Sequence, residues 1–435
     1  MALSEVEFLQ SRRNRDRAAE EMEETGEVGV LTRRELAHCK HWPRAFSNER
    51  KDFRYYELVE DTLHSEFEYR YFVIKDASGS VRAVQPFFIF DQDLLVGIGP
   101  AIGPSIALIR RFFPRFMRMR TLMIGCVAGE GHLDGPDDVW HPDRAGLFAD
   151  AVVKHARHLG AKLVVMKEFL AHHRATLACF MERGFARVPS MPMTGVSIDY
   201  ASFEDYMKRA LNSATRTKLR RKFRAAANSA PIEMTVVGDI TPLIDEVYPL
   251  YLNVYHRSKL HFEKLTKAYF CGLGTRMADK VRFFVWRQNG RIVAFTACMI
   301  QGEVFYPEYI GLDYTVALDL HLYHYAYRDM VSWAITHGCK ELRSSALNYD
   351  PKLHFRHQLL PLDLYVRHTS SILNLPLKRL LPLLEPTRQD KTLLKFANYH
   401  ELWGTQSVAR EPGRRADRVD AMLWRATAGS ERDIR

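Results

Sequence analysis

The sequence predicts a mixed α/β protein whose two halves share one order of elements. In each half a β-hairpin is followed by an amphipathic helix, a glycine that ends the helix and a short buried strand. The chain has 435 residues, which is enough for two domains of about 150 to 200 residues each. Together these observations predict two similar α/β domains in tandem, each with a mixed sheet.

The composition is that of a folded globular chain, with 47 % hydrophobic and 26 % charged residues. A net charge of +10 and a pI near 9.2 favour anionic partners, without choosing among phosphates, nucleotides, tRNA and acidic membrane surfaces. The six cysteines are scattered and form no C-x-x-C pair, so we expect neither a disulfide framework nor a zinc ribbon. The sequence shows no apolar leader and no apolar run of about 18 residues, which predicts a cytoplasmic protein without a membrane span.

In the first half, Tyr69–Lys75 and Val81–Phe90 are rich in β-branched and aromatic residues and predict a hairpin. The amphipathic stretch Arg144–Leu159 predicts a helix that ends at Gly160. The apolar run Lys162–Lys167 then predicts a buried strand.

The second half repeats this order with one additional strand. Its predicted elements are strands at Val281–Arg287, Arg291–Ile300, Val304–Ile310 and Lys340–Ser344, and a helix at Leu318–His337. Asn289-Gly290 is a strong signal for a tight hairpin turn. Gly338 ends the helix as Gly160 does in the first half, and a glycine at this place supplies the left-handed residue that closes a helix. The alternative is that two unrelated α/β segments share a common type of loop.

These patterns divide the chain into five predicted segments. They are a charged N-terminal extension (1–27), a first domain (28–204), a basic connecting helix (205–232), a second domain with C-terminal helices (233–403) and a flexible tail (404–435). The two ends are highly charged and carry few apolar residues, so we expect a weakly docked helix at the start and disorder in much of the tail.

Two stretches resemble a known superfamily. The Cys179–Phe185 stretch (CFMERGF) resembles the point in GNAT-type N-acyltransferase domains where a short helix ends at Gly and Phe begins the last strand. Residues 205–370 are similar to Fem-type and cellulose-biosynthesis-associated acyltransferases of the GNAT superfamily, through FFVWRQNGRIVAFTACMI and SSALNYDPKLHFRHQLLP. Residues 60–200 match more loosely. The resemblance implies two tandem GNAT-like domains and transfer of an acyl or aminoacyl group onto an amine.

A basic helix is predicted at residues 213–228. Arg216, Arg220 and Arg224 follow one another at i, i+4 and i+8, and like charges at this spacing destabilise an isolated helix by a few tenths of a kcal/mol per pair. We therefore predict that the three arginines bind an anion in the cleft between the halves, such as the phosphates of coenzyme A, of a nucleotide-linked acceptor or of tRNA. The alternative is a solvated helix whose charges are paired with acids elsewhere.

A polar constellation follows the predicted strand Lys340–Ser344. In open α/β sheets, ligands bind beyond the carboxyl ends of strands. The predicted substrate-binding residues here are Arg343, Ser345, Asn348, His354 and Arg356. The Fem-like resemblance implies that Tyr349 is a general acid towards the leaving group and that Lys352 offsets developing negative charge. An ordinary polar loop is the alternative.

Glu308 is the predicted general base. GNAT chemistry commonly uses a carboxylate near the end of the central strand to deprotonate the attacking amine. The apolar aromatic surroundings of Glu308 in VFYPEYI predict burial that raises its pKa; the alternative is a strand-edge carboxylate in solvent. Tyr309 and Asp313 are predicted to bind substrate beside it. No metal is predicted, because the His pairs lack a third ligand at a convincing spacing.

The predicted donor is acyl-coenzyme A, and the predicted acceptor is a small molecule or a cell-envelope precursor. GNAT enzymes hold the coenzyme A pyrophosphate with a Gly-rich loop that opens a helix. The corresponding stretch of the second half, GLDYTVALDLHLYHY, lacks those glycines. Aminoacyl-tRNA-dependent transfer of the Fem type, with tRNA as a partner, is therefore one alternative. A non-catalytic binding protein of the same fold is the other.

Overall fold

The computed structural model describes residues 27–93, 118–135, 137–227, 229–258, 262–383, 385–388 and 390–404. Of the predicted terminal segments, residues 1–26 and 405–435 lie outside this range. The described residues form one twelve-stranded mixed sheet with helices on both faces. Its strands are β1 (Glu27–Leu31), β2 (Glu68–Lys75), β3 (Val81–Asp93), β4 (Arg118–Ile124), β5 (Leu163–Leu170), β6 (Ala186–Ser197), β7 (Ile232–Val237), β8 (Val281–Gln288), β9 (Arg291–Gln301), β10 (Val304–Leu312), β11 (Glu341–Ser344) and β12 (Gln358–His368).

The α-helices lie between and after these strands. They are α1 (Arg33–Leu36), α2 (Phe53–Leu63), α3 (Pro142–His158), α4 (Ala178–Glu182), α5 (Phe203–Ala210), α6 (Ser213–Ala227), α7 (Ile244–Arg257), α8 (Lys267–Arg276), α9 (Leu322–Thr336), α10 (Tyr349–His354) and α11 (Ser371–Leu380). No helix among the described residues has both the length and the apolar character needed to cross a bilayer.

The order of the strands confirms the repeat. The sheet runs β1-β2-β3-β4-β5-β12-β6-β11-β10-β9-β8-β7, so each half contributes four antiparallel strands followed by a parallel one. In the first half β4 and β5 are parallel, and in the second half β10 and β11 are parallel. Each parallel pair is joined through a crossover helix, α3 or α9. The predicted fold class, two tandem GNAT-like halves with mixed sheets, is confirmed.

The two helix-ending glycines adopt the same conformation. Gly160 follows α3 with a φ of 69° and Gly338 follows α9 with a φ of 80°. In both places the next residue donates its N–H to a carbonyl in the last turn, Ala161 to Ala156 and Cys339 to Ala334, each at 2.9 Å. This bonding satisfies carbonyls that a helix end would leave free, and it directs the chain into the parallel strand.

The last strand of each half pairs with the other half. β6 lies beside β11, with Ser197 opposite Glu341, and β12 lies between β5 and β6, with Leu362 opposite Leu170. The halves therefore share one continuous sheet, and neither holds all of its own strands. The predicted domain limits at residues 204 and 233 stay a prediction.

Successive side chains along a strand point into different cores on the two faces of the sheet. In β8, Phe283 and Val285 point to one core, which both halves share, while Phe284 and Trp286 point to a second core under α9, built mostly by the second half. In the shared core α2 of the first half packs on α8 of the second half, where the hydroxyls of Tyr55 and Tyr269 are 2.7 Å apart. This face holds the halves in register and positions the site described next.

Candidate functional site

The sheet opens between β10 and β11. These strands pair at two positions, Val304 with Glu341 and Phe305 with Leu342, and then separate. Beyond that point β10 bulges, and Glu308 is the additional residue, flanked by Pro307, which has no N–H to donate to a ladder. A bulge turns a side chain away from the regular alternation, and bulges occur often beside active sites.

Four buried ionic side chains connect the halves, and we call them the inter-half cluster: Arg50, Lys51, Glu130 and Glu308. Arg50 donates from Nε to Glu308 Oε1 at 2.6 Å and from both terminal nitrogens to the carboxylate of Glu130. Lys51 Nζ donates to Glu130 Oε2 at 2.9 Å. Burial would raise the pKa of Glu130, but Arg50 and Lys51 hold that pKa well below its ordinary value. Two cations thus face two carboxylates, and the buried charges are balanced.

The predicted burial of Glu308 is confirmed, because its side chain is 8 % exposed. Its carboxylate is not free, however, since Arg50 donates to it. Its main-chain oxygen accepts from the hydroxyl of Ser345 at 3.3 Å. Glu308 therefore ties β10 both to the first half and to the loop after β11. Its role as general base stays a prediction.

A second polar group lies at the carboxyl end of β5. Lys167 Nζ donates to Glu168 Oε2 at 2.7 Å and to the carbonyl of Gly129 at 2.9 Å, and Ser190 donates to Glu168 Oε1 at 3.1 Å. Glu168 has a φ of 56°, at a bulge where two residues of β5 stand opposite one residue of β12. A left-handed glutamate costs on the order of 1–3 kcal/mol, and such strain is concentrated at functional sites.

Glu263 of the second half approaches this group just before α8. The ring of its neighbour Phe262 lies 5.1 Å from Lys167 Nζ. Burial raises the pKa of Glu263 to about 7, with Lys167 opposing the shift and Glu168 adding to it. Burial would lower the pKa of Lys167, but Glu168 and Glu263 raise it overall, so its ammonium group stays charged. Lys167, Glu168, Ser190 and Glu263 are called the Lys167 site below.

Tyr349 and Lys352 are buried and bound to the backbone. Tyr349 donates its hydroxyl to the carbonyl of Pro192 at 2.8 Å, and Lys352 Nζ donates to the carbonyls of Ser345 and Leu347 at 2.5 and 2.7 Å. These bonds fasten the loop after β11. Burial raises the pKa of Tyr349, and the nearby carboxylates of Asp390 and Glu168 add to the shift. The catalytic roles of Tyr349 and Lys352 stay predictions.

The other predicted substrate-binding residues do not form one site. The ring of Tyr309 packs at the edge of Tyr269, with centroids 6.1 Å apart. Arg343 donates from Nε to Glu341 at 2.8 Å. Asn348 begins α10 with a left-handed φ of 51°. The remaining two, His354 at the end of α10 and Arg356 just after it, are exposed. Their substrate-binding roles stay predictions.

Asp313 closes the turn after β10. Its Oδ1 accepts from the N–H and the hydroxyl of Thr315 at 3.0 and 2.7 Å, and its carbonyl accepts from the N–H groups of Val316 and Ala317. In a GNAT enzyme the N–H groups at this place would bind the pyrophosphate of coenzyme A. Here those N–H groups have acceptors and a carboxylate stands beside them, so the turn does not fit a pyrophosphate.

The basic helix α6 connects the halves along the chain and packs on α9 through Leu219. Arg216 donates to the carbonyls of Lys208 and Leu211 at the end of α5, at 3.3 and 2.5 Å, and Arg220 pairs with Glu204. The arginines find local partners because α5 ends directly against α6. Anion binding by Arg216, Arg220 and Arg224 stays a prediction.

Among the described residues there is no group of three or more His, Cys, Asp and Glu side chains that could hold a metal ion. The Lys167 site offers groups suited to acid–base and electrostatic chemistry, namely a carboxyl with a pKa of about 7, a charged ammonium group and a hydroxyl.

Lys352 should make the stability of the protein depend on pH. Burial lowers its pKa from 10.5 to about 7, so between those values the unfolded chain binds more protons than the folded one. Stability then rises with pH above about 7, by up to about 1.4 kcal/mol per pH unit. We expect Lys352→Met to flatten this rise in urea unfolding measured at pH 7, 8 and 9. Lys154→Met, at an exposed position on α3, should keep the wild-type slope; an unchanged slope in Lys352→Met would contradict the lowered pKa.

The Lys167 site was not predicted from the sequence, although one sequence signal points to Lys167 and Glu168. Lys167 follows Gly160 at the same distance in sequence as Ser345 follows Gly338. The rule that ligands bind beyond the carboxyl ends of strands therefore applies equally to the strand that ends at Lys167 and Glu168. No sequence signal marks Glu263, which lies in a loop that only folding brings to β5.

A known family matches part of the sequence. Residues 146–348 match the FemAB-like family, which is described as peptidoglycan biosynthesis/recognition. The match includes the whole Lys167 site and Glu308, and it ends just before Tyr349. No curated protein matches the sequence.

Solved structures of low sequence identity also resemble the chain. FemX is 12 % identical and the alignment covers 82 % of this chain and 100 % of FemX, with a TM-score of 0.48. The C-terminal DUF2156 domain of a putative lysylphosphatidylglycerol synthetase from Agrobacterium fabrum is 13 % identical, with 73 % and 88 % covered and a TM-score of 0.44. L-PGS from Bacillus licheniformis is 12 % identical, with 77 % and 96 % covered and a TM-score of 0.44. All three TM-scores are below 0.5.

Proposed function

Because residues 146–348 form a FemAB-like region, as the sequence resemblance predicts, we propose that the protein is a Fem-type transferase. In the proposed reaction an aminoacyl group moves from a charged tRNA to the amine of a peptidoglycan-precursor peptide. The Lys167 site is the observation that carries this proposal. It combines a charged ammonium group with a carboxyl whose pKa is about 7, and it lies inside the FemAB-like region.

Glu263 is the proposed general base. A neutral amine has to lose a proton as it adds to a carbonyl, and a base works best when its pKa lies near the operating pH. With a pKa of about 7, Glu263 accepts a proton at neutral pH and can return it in the next step. In the proposed reaction the new C–N bond forms, the ester C–O bond breaks, and the proton passes from the amine through Glu263 to the departing ribose oxygen.

Lys167 is the proposed oxyanion-stabilising group. Attack on the ester places negative charge on the carbonyl oxygen, and a fixed cation in a site of low dielectric stabilises that charge. Glu168 and the carbonyl of Gly129 each accept one hydrogen bond from Lys167, which holds the ammonium group beside Phe262. Because Glu263 comes from the second half and Lys167 from the first, the proposed centre needs both halves.

The proposed tRNA surface is the outer side of α5 and α6. Its exposed cations are Lys208, Arg209, Lys218, Arg221 and Arg224. Cations on such a surface release counterions from the phosphate backbone, so binding weakens with salt. This use of α6 does not require a cleft between the halves.

Charge reversal on this surface should weaken tRNA binding and its dependence on salt. For Arg221→Glu/Arg224→Glu we expect the slope of log K against log salt to fall by about 2 in magnitude, roughly one for each lost phosphate contact. Filter binding or fluorescence anisotropy at salt concentrations from about 50 to about 300 mM would measure this slope. The control Arg34→Glu/Arg82→Glu reverses two exposed charges of the first half and should keep the wild-type slope. Equal slopes in all three proteins would contradict the proposal that this surface binds tRNA.

The proposed reaction is tested by following an isotope-labelled group into the product. The protein is incubated with peptidoglycan-precursor peptides and either labelled aminoacyl-tRNA or labelled acyl-coenzyme A, and the products are identified by mass spectrometry. We expect label in the peptide from the charged tRNA. Transfer from acyl-coenzyme A alone would overturn the donor and favour the first prediction from sequence, and no transfer from either donor would favour the non-catalytic alternative.

A further inference from the structure

α11 presents apolar side chains to its surroundings. Ile372, Leu373, Leu375 and Leu380 are 83 %, 54 %, 61 % and 52 % exposed. Among the described residues ten large apolar side chains are classed as exposed, and these four lie on one helix of ten residues. Single exposed leucines are ordinary on a protein surface, but a cluster of this kind marks an interaction site.

The helix is held by its opposite side. Asn374 is buried, and its side chain accepts from the N–H of His368 at 2.9 Å and donates to the carbonyl of Gly184 at 2.8 Å. Leu377 packs on the core that both halves share. Because a polar residue anchors α11, the neighbouring apolar residues are turned away from the protein, and the exposed face has a defined orientation.

The surroundings of this face are basic. Lys378 and Arg379 are exposed on α11 itself, and residues 371–383 include no acid. At the start of the helix, Arg157 donates to the carbonyl of Thr369 at 3.0 and 2.8 Å. The apolar residues of α11 are thus accompanied by exposed cations on the same helix.

We propose that α11 docks the protein on an anionic lipid surface, with Ile372, Leu373 and Leu375 among the acyl chains and Lys378 and Arg379 at the headgroups. An apolar helix face flanked by Lys and Arg is the pattern of helices that lie in the membrane interface. At about 1.5 Å per residue, ten residues reach about 15 Å, which suits an interfacial position and is too short for a span. The proposal does not depend on the proposed reaction.

A second copy of the chain fits this face less well. A two-fold symmetric dimer through α11 would bring Lys378 and Arg379 of both copies into one interface. The segment supplies no carboxylate to balance them, and like charges across an interface oppose association. Phosphate headgroups supply the missing negative charge, and each Lys or Arg near an anionic membrane contributes about fivefold in binding.

Vesicle binding of the full-length protein tests this proposal. We expect the wild-type protein to sediment with vesicles of phosphatidylcholine and phosphatidylglycerol, and to bind pure phosphatidylcholine at least about tenfold more weakly. Ile372→Ser/Leu375→Ser should lower the partition coefficient at least about tenfold through lost apolar contact, and Lys378→Glu/Arg379→Glu by a similar factor through lost charge. Leu318→Ser is the matched control, because Leu318 is 67 % exposed elsewhere on the second half, and it should bind as the wild type does.

Three results would overturn the proposal. Absence of the wild-type protein from the vesicle pellet at every lipid composition would show that other residues cover α11. Equal binding of all variants would place the lipid contact elsewhere. The third result is a dimer of the wild-type protein in sedimentation velocity without lipid, together with a monomer for Ile372→Ser/Leu375→Ser. This result would identify α11 as a protein–protein interface. Circular dichroism of each variant shows whether it is folded.

Discussion

Glu263→Gln is expected to lower kcat for transfer by about 10²- to 10⁴-fold while the protein stays folded. The amide has almost the shape of the carboxyl group, but it cannot accept the proton of the attacking amine. In the wild-type protein, activity should fall as pH drops below about 7, because Glu263 becomes protonated there. The residual activity of the variant should lack this acidic limb. Steady-state rates measured from about pH 5.5 to about pH 8.5 would show both effects, because a base with a pKa of about 7 titrates within that range.

Two further variants give this experiment its controls. Glu182→Gln changes an exposed glutamate at the end of α4 and should keep the wild-type rate and pH profile. Glu308→Gln tests the base predicted from the sequence. If Glu308→Gln loses the acidic limb and Glu263→Gln retains it, Glu308 is the base and the assignment to Glu263 is wrong.

Glu130→Ala is expected to reduce the free energy of unfolding by about 3–5 kcal/mol. The substitution leaves Lys51 buried without its carboxylate and Arg50 with Glu308 alone, and a buried charge without a partner is costly. The exposed Glu303 pairs with Lys340 across the surface, and Glu303→Ala should leave the urea midpoint unchanged. A midpoint for Glu130→Ala close to that of the control would show that the inter-half cluster does not stabilise the fold.

The effect of Glu130→Ala should also depend on pH. The pKa of Glu130 is held well below its ordinary value of 4.5 in the folded protein, so the stabilisation is complete above that value. It is lost as pH falls from there towards the folded pKa, because the folded protein then has to take up a proton that the unfolded chain already carries. The wild-type and Glu130→Ala proteins should therefore differ less in stability in acid than at neutral pH.

Local sequence pattern predicts the elements of the fold but not their arrangement. The run VRFFVWR alternates between two buried faces and gives β8, and Asn289-Gly290 gives the turn to β9 because both residues take positive φ, 51° and 78°. No local sequence pattern indicates that β6 and β12 are exchanged between the halves. A strand's pattern states which faces are buried, and it does not state which strand lies beside it.

The same limit applies to the site. The burial of Glu308 follows from its aromatic neighbours in sequence, but its partner Arg50 lies in a polar stretch, SNERKDF, that resembles an ordinary loop. The residues of the Lys167 site come from β5, β6 and the loop before α8, and their pKa values depend on the charges that folding brings together. The regular spacing of the arginines in α6 likewise does not reveal that the end of α5 supplies partners to Arg216 and Arg220.

A crystal structure with a tRNA acceptor-end analogue tests the account most directly, if the amino acid is joined to the terminal ribose through an amide that cannot be transferred. We predict that the carbonyl of the amino acid lies between Lys167 Nζ and the carboxyl of Glu263, with its oxygen towards Lys167. Density for the aminoacyl group beside Tyr349 and Lys352, or at the turn closed by Asp313, would contradict the placement of the centre between the two halves.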